Sequence, residues 1–238
     1  MALADRRYVM AKKNNEATPE GAPARGDWRH YEPIQLSPIL THALEAFYEH
    51  GFHGTTVRDI ARRVGVTVPA LYYHHENKEA VLVALLETAT NDVIWRASAA
   101  AEEGGDGPRT RLANVIEAVV LHMTHRVRLA ALDSELRYLQ PDNRRHYAAT
   151  RKKLEKLLDE IIEDGVRRGV FAVTLPAETA RALLGMCQAI ATWYHDGGPL
   201  RPEEIAERYV DIALTTVGAR GLPARSDLEH PGGASSIG

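Results

Sequence analysis

A glycine standing between two capped apolar stripes constrains this chain more than any other feature. The stretch GFHGTTVRDIARRVGVTVPALYYHHENKEAVLVALL, residues 51–86, reads as two short helices, a tight turn and the start of a longer helix. Thr56 is placed to cap a helix from Val57, its hydroxyl accepting from a free backbone N–H, and Asp59 suits the positive end of that helix. Val57, Ile60, Ala61 and Val64 then fall on one face. Gly65 ends the helix, where a positive φ is usual. Thr67 caps the next helix, and Pro69 fits its first turn, where a missing N–H costs nothing. Two short helices joined by a Gly-containing turn make a helix-turn-helix, whose second helix enters a DNA major groove.

The flanks extend the pattern. Ser37 and Pro38 open a helix running to His50, with Leu40, Ala43, Leu44, Phe47 and Tyr48 on one face and Gly51 as its stop. A fourth helix starts at Asn77–Lys78 and runs to Glu103, carrying Leu82, Leu85, Leu86, Ala89 and Val93, before GGDGP at 104–108 breaks it. Helical periodicity continues from 109 to about 220, in segments 111–126, 128–139, 141–168, 176–195 and 202–217. FAVTL at 171–175 is too short to count as a strand. The fold class is therefore all-α. The expected organisation is a disordered arm (1–33), a three-helix helix-turn-helix DNA-binding domain (34–80), a larger helical domain (81–220) and a disordered tail (221–238).

Composition narrows the class further. No apolar run reaches the roughly 18 residues a membrane span needs, and MALADRRYVMAKKNNEA lacks an apolar signal region, so a cytoplasmic protein is expected. A single cysteine, Cys187, leaves no intramolecular disulfide and no cysteine-rich zinc site. The net charge of −3 does not advertise nucleic-acid binding. A local basic face from Arg58, Arg62, Arg63 and Lys78, or from the arm, has to supply the attraction for phosphates.

The stretch GFHGTTVRDIARRVGVTVPALYYHHENKEAVL resembles the DNA-binding domain of the TetR family of bacterial transcriptional regulators, with matches in order over roughly 36–86. The helix led by Thr67, Val68 and Pro69, and followed by Tyr72, Tyr73 and His74, is the candidate DNA reader, with Leu71 inward. It has no Arg or Lys, so base readout leans on apolar contact of Val68 and Pro69 with thymine methyls. Tyr72, Tyr73 and His74 are expected at phosphates, with Thr56 and Lys78 clamping the backbone. The resemblance implies phosphate contacts most directly for Thr56, Tyr73, His74 and Lys78. His75 departs from the family, which has an apolar residue there.

The resemblance also implies a partner domain with a small-molecule pocket and a homodimer built by the last two long helices. TWYHDGGPLRPEEIAERYVDIAL, 192–214, is similar to a subset of TetR regulators linked to lipid or sterol catabolism, members of which often sense acyl-CoA thioesters. Met123, Leu132, Leu136, Leu184, Gln188 and Trp193 are candidates for an apolar tunnel, and Arg137, Arg144, Arg145 and Arg181 for phosphate partners. The expected partners are thus a double-stranded DNA operator, a small hydrophobic effector such as an acyl-CoA, and a second copy of the chain, with no membrane and no cofactor. The rival is a helical small-molecule or metal-binding protein without specific DNA binding. His122 and His125, three apart on one helix with Glu135 as a third ligand, motivate the metal version. No nucleophile motif or phosphate-binding glycine loop points to an enzyme, and no catalytic residue is assigned.

Overall fold

The computed structural model describes residues 26–219. Ten helices follow in order: α1 Pro38–Gly54, α2 Val57–Val64, α3 Val68–His74, α4 Lys78–Glu103, α5 Pro108–His125, α6 Val127–Ala131, α7 Pro141–Arg167, α8 Pro176–Gln188, α9 Ile190–Trp193 and α10 Pro202–Thr216. A 3₁₀ turn, Leu132–Tyr138, links α6 to α7. Among the described residues there is no β-strand.

Local signals set the first four helices. Side-chain oxygens of Ser37, Thr56, Thr67 and Asn77 each accept from the backbone N–H three residues on. Thr56 and Asp59 form a reciprocal capping box. Gly65 closes α2 at φ +79°, a conformation that only glycine adopts without strain. Gly51 breaks α1 at φ +70° without ending it, since one more turn runs to Gly54. That turn is stitched down by the buried Thr55, whose hydroxyl faces the Ala46 and Gly51 carbonyls at 3.0 and 2.9 Å.

Two apolar cores result, and α4 serves both. Ile39, Phe47, Ile60 and Leu71 of the helix-turn-helix unit pack with Leu82, Leu85 and Leu86 from the first half of α4. Val93, Ala97 and Ala100 from its second half join α5, α7, α8 and α10 around Ile116, Val119, Leu158 and Ile162.

The arm is a correction. Residues 1–25 and the tail from 220 lie outside the described residues, but 26–33 are not the disordered segment expected. Trp28 is buried in the larger core, and its indole N–H donates to Glu103. Arg29 pairs with Glu103 and Glu117. The Trp28 and His30 carbonyls accept from the buried Arg96 guanidinium at 2.6 and 2.9 Å. Tyr31 stacks on His125 at 4.4 Å, and the Glu32 carbonyl accepts from Arg126. Residues 27–32 therefore form a strap laid over α4 and α5.

Two expected helices are each broken in two. The segment 128–139 becomes α6 and the 3₁₀ turn, with the Ser134 hydroxyl on the Ala131 carbonyl at 2.9 Å. The segment 176–195 splits at Ala189, whose carbonyl takes both the N–H and the hydroxyl of Thr192 and so tightens the chain. Both breaks redirect side chains named from periodicity.

Gly165, inside α7, lets the chain fold back closely. A β-carbon there would lie 2.0 Å from the Phe171 ring, while the Val170 and Phe171 N–H groups bond the Gly165 carbonyl. Gly165→Ala is expected to destabilise the protein by about 2 kcal/mol, because overpacking outweighs alanine's helix preference. A urea titration checks this, and an unchanged midpoint contradicts it.

Candidate DNA-reading surface and ligand cavity

The α3 helix turns Leu71 fully inward and leaves its other face to solvent. Pro69, Tyr72, Tyr73 and His74 are exposed, Tyr73 the most at 87%, and Val68 is half-buried at the leading turn. A tyrosine ring left this open adds little to the folded core and is free to meet a partner. The Tyr73 and His74 rings meet edge to face at 5.3 Å. Thr67 remains exposed while capping α3.

The cations near this face are less free than the sequence implies. Arg62 pairs with Asp59, and Arg63 pairs with Glu49 at 2.7 Å. The Lys78 ammonium donates to the Phe52 and Thr55 carbonyls at 2.6 and 2.8 Å and lies over the Phe52 ring. Two of its three protons hold the end of α1, so its first duty is structural, with one donor left over. The Thr56 hydroxyl and N–H both face Asp59. Arg58 makes no ion pair with any described residue. His75 follows α3 in extended conformation with its N–H on the Leu71 carbonyl. Partial burial, then the neighbouring His74, push its pKa down, so it stays neutral at neutral pH.

A cavity of about 430 Å³ lies in the larger domain, among α4, α5, α6, α7 and α8. That falls within the size range of small-molecule sites. Val93, Met123, Leu129, Leu154 and Leu184 give it apolar walls, and Gln188 adds an amide. His122 and Tyr147 are its buried polar groups, with the half-buried Asp133 beside them. The Tyr147 hydroxyl donates to Asp133, and burial with the Asp133 charge pushes its pKa up. Arg151, Lys152 and Arg181 stand at the more exposed α7–α8 side, where Arg151 faces Asp133 at 3.4 Å and Arg181 pairs with Glu155 and Glu178.

Of the expected ligand residues, Met123, Leu184 and Gln188 line this cavity, as does Arg181. Leu132, Leu136, Arg137 and Trp193 do not. The 3₁₀ winding turns Leu132 and Leu136 into the helix-turn-helix core. Arg137 is exposed and its carbonyl accepts from Arg144. Trp193 is displaced by the break at Ala189 and stands 48% exposed beside a separate small hollow with Pro199 and Leu200. Arg144 and Arg145 also stay outside, Arg145 being paired with Asp142. Tyr147 and Arg151 were legible only as positions on α7, since basic residues there read as a solvated face.

The metal reading fails on geometry. His122 is buried with Nδ1 on Asp92 at 3.1 Å, while His125 stacks on Tyr31. Among the described residues, no group of three ligating side chains stands close enough to hold an ion. No described helix is long and apolar enough to cross a membrane.

The helix-turn-helix geometry coincides with a known pattern: the profile of bacterial regulatory proteins of the tetR family matches residues 39–85, and that of the tetracyclin repressor-like C-terminal domain matches 105–217. The chain belongs to the TetR family of transcriptional regulators. A crystal structure of the TetR-family regulator PfmR from Thermus thermophilus is 30% identical, with 75% of this chain and 98% of that one covered and a TM-score of 0.68. The transcriptional repressor KstR2 of Rhodococcus jostii is 27% identical over 178 residues, 74% of this chain and 87% of the relative. The structure of AibR in complex with isovaleryl coenzyme A and operator DNA is 26% identical, covering 73% and 95% of the two chains, with a TM-score of 0.64. As a TetR-type protein the chain is a DNA-binding transcriptional regulator, and the rival without DNA binding gives way.

Proposed function

We propose that the protein is a homodimeric repressor that leaves a pseudo-palindromic operator when a small hydrophobic effector, of the acyl-CoA thioester class, fills the cavity. One observation carries this reading: α4 supplies cavity wall through Ala89, Thr90 and Val93 and reader core through Leu82, Leu85 and Leu86. A ligand that fits one tilt of α4 better than another moves the reader, because occupancy shifts an equilibrium only through differential affinity. The apolar walls suit an acyl chain, and Arg151, Lys152 and Arg181 suit the phosphates of a nucleotide outside the mouth. The complex of AibR with isovaleryl coenzyme A and DNA supports the same class.

On the DNA side, Val68 and Pro69 meet thymine methyls, and Tyr72, Tyr73 and His74 meet phosphates. Thr56, Thr67 and the remaining proton of Lys78 grip the backbone beside them, with Arg58 as an added cation. A second copy docks on α8 and α10, where Ala182, Gly185 and Ile212 are exposed. Such a regulator works in the cytoplasm and turns over no substrate.

Fragments of the source genome selected by the protein test the operator reading, and failure to recover a specific fragment at any salt rejects it. Tyr73→Ala is expected to weaken operator binding about tenfold or more, by loss of a charge-assisted hydrogen bond, while leaving thermal stability unchanged. Fluorescence anisotropy on the recovered operator measures the first and a melting curve the second. A thermal-shift panel of CoA thioesters, free fatty acids and planar drugs tests the effector class; no shift with any thioester rejects it.

A further inference from the structure

His122 is a polar side chain sealed inside the larger domain, 1% exposed, and only one of its two ring nitrogens is accounted for. Asp92 accepts from the Arg96 guanidinium at 3.2 Å through both oxygens, with Arg126 at 3.7 Å. A carboxylate so placed can only accept, so the proton of the His122–Asp92 bond sits on Nδ1. Two arginines already balance Asp92, and a second proton on the ring would add a third buried cation beside one anion. The ring is therefore neutral, with Nε2 bare. His122 lines the cavity, whereas Asp92, the partner of its Nδ1, does not. Among the described residues nothing hydrogen-bonds Nε2.

We propose that His122 is the polar anchor of the effector cavity, its Nε2 accepting from a hydroxyl or comparable neutral donor on an otherwise apolar ligand. This rests on the cavity being the effector site. An unpaired acceptor beside apolar wall residues such as Val93 and Met123 discriminates strongly, because a ligand without a donor leaves it desolvated and unpaired. Two other hydroxyls of the wall are already engaged: that of Thr90 donates to the Leu86 carbonyl and that of Tyr147 to Asp133. The effector class narrows to hydroxyl-bearing acyl or ring compounds, and a ligand offering only acceptors is disfavoured at this wall.

Matched probes test the anchor with the full-length protein. 2-Naphthol carries a donor, 2-methoxynaphthalene has the same ring system and is more apolar but cannot donate. Calorimetric titration of the wild type is expected to favour 2-naphthol about tenfold. His122→Phe is expected to abolish or invert that preference, and His122→Gln, which still bonds Asp92 and offers an acceptor, to retain it. His122→Met supplies the apolar arm if the phenylalanine variant fails to fold by circular dichroism. Equal affinities in the wild type, or a preference that survives in the folded apolar variant, overturn the anchor while leaving the cavity as a site. If neither probe binds, the cavity reading falls and takes the anchor with it.

Discussion

Replacing Trp28 by alanine is expected to lower stability by about 3 kcal/mol, the lower end for emptying a buried tryptophan site. The indole is 3% exposed in the larger core, lies under the Arg29 guanidinium at 3.7 Å and donates to Glu103. Its carbonyl is also one of the two acceptors on the Arg96 Nη1. Truncation empties the socket and loosens the acceptor, so Arg96 loses part of its buried hydrogen bonding at the same time. The effect is expected to appear as two signals. The urea midpoint falls, and trypsin gains a cut after Arg29 under native conditions, where the strap protects it in the wild type. Trp28→Phe is expected to lose less on both counts. An unchanged midpoint and digest for Trp28→Ala would mean that the strap contributes nothing to the fold.

Asp92→Ala is expected to lose about 3 kcal/mol as well, because removing one partner of a buried ionic cluster strands the others. Arg96 and Arg126 would then stand near each other with strap carbonyls and the Tyr31 ring to face but no anion, and His122 would lose its Nδ1 partner. The pH dependence carries the diagnostic sign. Burial alone raises the Asp92 carboxyl, but the His122 hydrogen bond and the Arg96 charge outweigh it and hold it below the usual carboxylate range. A depressed folded pKa means the contribution is complete above the unfolded value, near 3.9, and is lost as pH falls through the folded one. His122 is depressed chiefly by burial, against the pull of Asp92. Its contribution is complete above the ordinary histidine value of about 6.5 and declines as pH falls below it, since the unfolded chain then takes up the proton first. Wild-type stability is thus expected to fall in two stages on acidification. The gap between wild type and Asp92→Ala should narrow in the lower one. Denaturation midpoints between neutral and acid pH measure both, and a gap independent of pH would contradict the assignment.

What the sequence revealed depended on how local the determining physics was. Ser37, Thr56, Thr67 and Asn77 each act on an N–H three residues away, so the helix-turn-helix and its boundaries were readable from spacing. Met123, Leu184 and Gln188 line the cavity as periodicity placed them, because each precedes any break in its helix. Leu132, Leu136 and Trp193 were misplaced because each lies at or beyond a break in helical winding, where a continued 3.6-residue period points the wrong way. The strap was invisible for a different reason. Its stretch GDWRHYEP has no period, and Trp28 is held by Arg96, 68 positions away and outwardly just another helix arginine. His122 stood out in the sequence, but as half of a metal pair, since only the fold brings Asp92 to it.

The strap changes the mechanics of the whole molecule. After Glu32, the chain passes through Ile34 and Leu36, which pack on the helix-turn-helix core, straight into α1. The DNA reader is therefore moored to the larger domain at both its ends, by this crossover and by α4, and along one flank by Leu132 and Leu136. A body moored at one point can swivel in every direction; moored at several, it moves only with the elements that hold it. The reader is carried by the larger domain rather than turning on a ball joint. Such a pair of readers tracks a narrow range of half-site spacings and tolerates little twist between them, so base pairs added at the centre of an operator should abolish binding rather than be absorbed by the protein.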